Sequence, residues 1–90
     1  MKIVTICGAG MGTSAILKVN VERVLKKMGR ADDVVAADVG SVGTVAADAQ
    51  VILTSQHYVE AIGKTWADVI VIDNFLDLTE IESKLEDALG

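Results

Sequence analysis

Ninety residues with a formal net charge of −5, about half apolar and with only three aromatics (Tyr58, Trp66, Phe75), fit one domain over 1–90 that buries roughly two-thirds of its unfolded surface. An acidic, aromatic-poor chain lacks the basic field and stacking platforms of a nucleic-acid binder, and no apolar run nears the roughly 20 residues of a membrane span. The single cysteine, Cys7, closes no internal disulfide and joins no Cys/His cluster at zinc-ligand spacing, so no metal or cofactor is called for and a cytoplasmic location is expected.

In chain order, "KIVTI" (2–6) is a short β-branched apolar run that reads as a buried strand entering a loop, not as a secretion signal. The glycine-rich "CGAGMGTS" (7–14) follows, and a helix is predicted over 13–28. Leu17, Val21, Val24, Leu25 and Met28 form its apolar stripe, Glu22 and Lys26 an outer pair, and Gly29 its stop. "VVAADV" (34–39) is a second strand closed by a "GSVG" turn, and "TVAADA" (44–49) reads as one or two helical turns. "VILTS" (51–55) is a third strand, with Thr54 and Ser55 placed to cap the short helix of "QHYVEAIGK". "DVIVID" (68–73) is a fourth. The last helix opens on a capping box from Thr79 to Glu82 and turns Ile81, Leu85, Ala88 and Leu89 inward.

Strands that are nearly all apolar and alternate with helices specify an α/β fold, a parallel sheet covered on both faces. Four such strands favour the flavodoxin-like order 2-1-3-4, with the topological switch beside strand 1. Cys7 then stands at the carboxyl end of that strand, where open α/β sheets bind ligands. Gly8, Gly10 and Gly12 allow successive N–H groups to turn inward as an anion nest. The helix opening at Thr13 or Ser14 adds its positive end. That setting depresses a thiol pKa and makes Cys7 a nucleophile near neutral pH.

Spacing separates this loop from other glycine loops. Thr13 stands where the dinucleotide fingerprint has its third glycine, although Asp38 ends strand 2 where a ribose-binding acid would sit. A nucleoside-triphosphate loop needs lysine before the Ser/Thr, and Thr13 precedes Ser14. Low-molecular-weight tyrosine phosphatases use C-x5-R-[ST] on this topology. Here the frame is C-x5-T-S, with Thr13 in the arginine's place.

The run "VTICGAGMGTSAILKVNVERVLKKMG" resembles the phosphocysteine-type enzyme IIB of the bacterial sugar phosphotransferase system (PTS), most of all its ascorbate-type subfamily. "DVGSV", "TSQH" and "IDNFLDLTEIESKL" extend the similarity across nearly the whole chain. The resemblance implies that Cys7 accepts a phosphoryl group from a phosphohistidine on a IIA protein or domain. It then passes the group to a sugar brought through the membrane transporter IIC. Gly8, Ala9, Gly10, Met11, Gly12, Thr13 and Ser14 would bind the phosphate, with His57 and Asp73 as possible accessories. Six basic groups and one acid lie in residues 1–30, against two basic groups and twelve acids in 31–90. A partner-facing first helix (Lys18, Arg23, Lys26, Lys27, Arg30) and a merely solvated one are both compatible with that asymmetry. Two other functions fit the same loop: a phosphatase that hydrolyses the thiophosphate, and a regulatory anion-binding module.

Overall fold

The β-branched run at the start of the chain forms β1 (Lys2–Cys7), whose Ile3, Val4, Thr5 and Ile6 are completely buried. In the computed structural model, which describes residues 2–7, 11–30, 32–45, 47–63 and 65–89, β1 lies between β2 (Asp33–Asp38) and β3 (Val51–Thr54). With β4 (Asp68–Val71) they make a four-stranded sheet in the order β2-β1-β3-β4. Every pairing is parallel, with Ile6 opposite Thr54 and Cys7 opposite Asp38. This is the predicted order. A central strand buried on both faces explains why its sequence shows no polar alternation.

One face of the sheet packs Ile3, Val51, Leu53, Ile70 and Ile72 against Leu17, Val21, Val24 and Leu25 of α1 (Met11–Lys27) and Ile81 and Leu85 of α4 (Leu78–Leu89). Met28, Ala88 and Leu89 are half-buried at the margin, so the predicted stripes are the ones used. The other face packs Val4, Ile6, Ala37 and Ile52 with Ala49, Ile62 and Ala67. It is bordered by two single-turn helices, α2 (Val42–Val45) and α3 (Val59–Ile62).

Several boundaries differ from the sequence reading, each for a local reason. α1 starts at Met11 rather than Thr13, because the buried stripe begins only at Leu17 and periodicity cannot see the turn before it. The "GSVG" segment is helical instead of a turn: a 3₁₀ turn at Val39–Ser41 runs directly into α2. The helix after β3 is divided into a 3₁₀ turn at Gln56–Tyr58 and α3, which stops at Gly63 with φ of 70°. β4 ends two residues early because the Asp73 N–H donates to the Glu80 carboxylate at 2.7 Å instead of continuing the ladder. The predicted Glu22–Lys26 pair is not among the salt bridges of the described residues; Lys27 reaches across to Glu82 on α4 at 2.9 Å instead.

Gly29 ends α1 as predicted, with φ of 77°. Its N–H donates to the Lys26 carbonyl at 3.1 Å and the Arg30 N–H to the Leu25 carbonyl at 2.8 Å, which satisfies two of the last helical acceptors. A Cβ at this position would meet no atom within 4 Å, so the cost of a side chain is purely conformational. Gly29→Ala is expected to destabilise the chain by about 1 kcal/mol, read as a lower urea midpoint with an unchanged slope.

Candidate active site

Cys7 is the last residue of the central strand, level with Asp38 at the end of β2. Only residues 8–10 separate it from Met11, the first residue of α1. This seventeen-residue helix has no acidic side chain in its first turn and carries Lys26 and Lys27 in its last. No carboxylate of its own therefore offsets the positive amino end, which favours an anion beside Cys7. Of the predicted nest, Gly8 and Gly10, with Ala9 between them, lie outside the described residues, while Gly12 falls within α1. Met11, Gly12, Thr13 and Ser14 form the first helical turn.

The neighbouring wall is the end of β3. The Thr54 hydroxyl, fully buried, donates to the Ile6 carbonyl at 2.9 Å, and the Ile72 N–H donates to the Thr54 carbonyl at 2.8 Å. β1, β3 and β4 are thereby locked together one residue before Cys7. Ser55 follows in extended backbone (φ −95°, ψ 162°) and makes no cap bond to the 3₁₀ turn. Neither Thr54 nor Ser55 is the predicted cap: the first is committed to the strand pair, and the second has a buried hydroxyl without a hydrogen-bond partner.

His57 is exposed in that 3₁₀ turn, edge-on to Tyr58 with ring centroids 6.4 Å apart. Asp73 is exposed beyond β4, its carboxylate 3.9 Å from the Lys84 ammonium. β4 lies two strands away from β1, about 10 Å across the sheet at ordinary strand spacing. The structure thus places His57 in the turn that follows the strand adjoining β1, and Asp73 beyond a strand farther off.

The segment after β4 is fixed by groups whose roles sequence reasoning missed. The Glu80 carboxylate accepts from the backbone N–H of Asp73 at 2.7 Å and of Asn74 at 3.0 Å, while Lys84 donates to Glu80 at 2.7 Å and to the Val71 carbonyl at 2.6 Å. Asn20 on α1 donates to the Phe75 carbonyl at 2.7 Å. The N-cap of α4 is Asp77, whose Oδ1 accepts from the N–H of Thr79 and of Glu80. It displaces the predicted Thr79–Glu82 box because the helix begins at Leu78, so that Thr79 is already inside its first turn. The bond from Lys84, then those from the backbone, hold the Glu80 carboxyl below its ordinary value of about 4.5.

Glu80→Gln leaves one acceptor oxygen for three donors and is expected to cost about 1–2 kcal/mol at pH 7. A depressed carboxyl pKa contributes stability that is fully present above about 4.5 and is lost as pH falls through the lower, folded value. The gap between wild type and Glu80→Gln in urea unfolding should therefore hold from pH 7 down to about 4.5 and narrow as the pH falls further.

Among the basic residues of α1 and its cap, Lys27 pairs with Glu82 and Arg30 with Asp32, at 2.9 and 2.7 Å; Arg23 and Lys26 point to solvent. Exposed Ile16, Val19 and Leu76 line, with Ala15, Asn20 and Arg23, a shallow groove of about 290 Å³ between α1 and the segment after β4. A wider cavity of about 530 Å³, lined by Gly63, Thr65, Trp66, Ala67 and Val69, sits where β4 begins, at the opposite end of the sheet from Cys7. Open α/β sheets bind ligands at the carboxyl end of their strands, the end that carries Cys7.

Comparison with known proteins agrees with this geometry. Residues 2–87 match the family described as "PTS system, Lactose/Cellobiose specific IIB subunit". Over 90 residues the chain is 30% identical to the ascorbate-specific PTS system EIIB component of Mycoplasma pneumoniae, covering 99% of this chain and 95% of that protein. Its fold is similar to that of a low-molecular-weight protein tyrosine phosphatase from Bacillus subtilis, with a TM-score of 0.60 over 98% of this chain and 89% of the other. At 10% identity that second likeness is one of fold alone.

Proposed function

The chain belongs to the PTS IIB family and is a phosphotransferase component of that system, and from that premise we propose that Cys7 is its phosphoryl carrier. One observation supports this above the others. The chain's only cysteine ends the central parallel strand and is followed, after residues 8–10, by a long helix with no acid in its first turn. A thiolate there attacks the phosphorus of a phosphohistidine on IIA. The S–P bond forms as the N–P bond breaks, and the imidazole leaves with the electron pair. In the second half-reaction a sugar hydroxyl attacks the same phosphorus, its proton passes to solvent, the S–P bond breaks, and the thiolate is restored.

Gly8, Ala9, Gly10, Met11, Gly12, Thr13 and Ser14 supply the backbone and hydroxyl donors that hold the phosphoryl oxygens. His57 and Asp73 are accessory at most. The groove between α1 and Leu76 offers protein partners an apolar contact surface with Arg23 at its side. IIA, IIC and the sugar are the partners this reading assigns, and the sugar's identity is read largely in IIC. The family description names lactose and cellobiose while the relative's name gives ascorbate; an ascorbate-like sugar follows the relative that spans the whole chain. No described helix is long and apolar enough to cross a membrane, in keeping with work in the cytoplasm and docking at the inner membrane face.

The test is incubation with phosphoenolpyruvate, the general phosphotransferase proteins and IIA. A phosphorylated chain that turns over p-nitrophenyl phosphate negligibly is the expected result. Rapid p-nitrophenyl phosphate turnover without a durable phosphoprotein would make it a phosphatase, and neither activity would leave an anion-binding module.

A further inference from the structure

Buried hydroxyls nearly always have a hydrogen-bond partner, yet the Ser55 Oγ is shut off from solvent and has none among the described residues. Its place in the fold says what it waits for. β1 and β3 pair as far as Ile6 opposite Thr54, and Thr54 is pinned on both sides. Ser55 continues β3 in extended backbone, so it stands beside the position of Cys7. Side chains along a strand alternate between faces, and Val51 and Leu53 lie in the core beneath α1 and α4. Ser55 therefore belongs to the same face, at its carboxyl end, where α1 begins. A serine before a helical turn ordinarily caps it, but this hydroxyl makes no such bond.

We propose that the Ser55 hydroxyl is an oxyanion donor of the Cys7 site, giving its hydrogen bond to an oxygen of the phosphoryl group or of an inorganic phosphate bound there. This rests on the reading of Cys7 as phosphoryl acceptor and adds to it a donor from outside the glycine loop. Among the described residues the hydroxyl finds no acceptor, and the anion supplies one.

The experiment is protection of Cys7 from iodoacetamide by inorganic phosphate in wild type, Ser55→Ala and Ser55→Thr, with the Tm of each unliganded protein. Ser55→Ala should need about tenfold more phosphate for equal protection, the scale of one hydrogen bond to a charged group. Its Tm should be unchanged or higher, because an unsatisfied buried donor has been removed. Ser55→Thr should restore protection. Equal protection in wild type and Ser55→Ala overturns the proposal while leaving Cys7 in place, and so does a lower Tm for Ser55→Ala, which would make the hydroxyl structural. Absence of protection in wild type contradicts the Cys7 reading and removes this one with it. Independently of the variants, saturating phosphate should shift the wild-type amide resonance of Ser55, and an unmoved resonance overturns the proposal.

Discussion

Cys7→Ser is expected to keep the fold and abolish acceptance of phosphate from IIA. The residue ends β1, where its backbone pairs with β2 opposite Asp38, and oxygen for sulfur changes little in volume. What changes is the nucleophile. A thiol titrates near 8.5 when free and lower beside a helix amino end, and its thiolate is the attacking form. A serine hydroxyl lies so far above this that the same field leaves it protonated. Ser55, which follows β3 in extended backbone, is no general base. The loss should be roughly a thousandfold or more, the scale seen when a covalent nucleophile is removed. Label transfer from phosphorylated IIA, with circular dichroism as the check on folding, reads it directly. Acceptance at an undiminished rate would remove Cys7 from the mechanism.

Thr13→Arg should shorten the life of the phosphoprotein. The position lies in the first turn of α1, and in the C-x5-R frame of the tyrosine phosphatases it holds the arginine that grips the phosphoryl group. A guanidinium offers two oxygens a planar fork and stabilises the charge that develops as the bond to sulfur breaks. A threonine donates one neutral hydrogen bond. Removing one well-placed donor typically costs on the order of a hundredfold in rate, so restoring one should accelerate hydrolysis in that direction, by about tenfold at least. A carrier gains from the slower rate, because every phosphoryl lost to water is lost to the sugar. Phosphorus NMR would follow phosphocysteine decay in both proteins. An unchanged half-life in a folded, phosphorylated Thr13→Arg variant would refute the role given to the missing arginine.

The sheet was legible because its signals are strong and redundant. Four apolar runs separated by helical periodicity admit few parallel arrangements, and the stripe from Leu17 to Leu25 is the one that α1 buries. Glycine at 29 ends α1 for the conformational reason that its position in the pattern indicated. The short elements were less legible. In "VGSVG" the glycines read as breakers, but single-turn helices have no period to detect, and the segment is helical. The end of β4 was misplaced because the acceptor that takes the Asp73 N–H is Glu80, seven residues on, and no local rule announces such a bond. At the site, a lone cysteine before a glycine loop was visible as chemistry from the residues alone. The Thr54 lock on Ile6 and the unsatisfied Ser55 hydroxyl were not, because both depend on which strand lies beside β1. In its local sequence Ser55 has the commonest setting of serine, that of a helix cap.

The most direct measurement is to locate the phosphoryl group after transfer from IIA. Phosphorus NMR of the intact protein and mass spectrometry of the tryptic peptide spanning residues 3–18, which contains Cys7, together identify the bond. One S-phosphoryl group on that peptide, discharged when IIC and its sugar are added, is the predicted result. An acid-labile phosphoryl group on His57 instead, with Cys7 still open to alkylation, would contradict the assignment of Cys7 as the carrier.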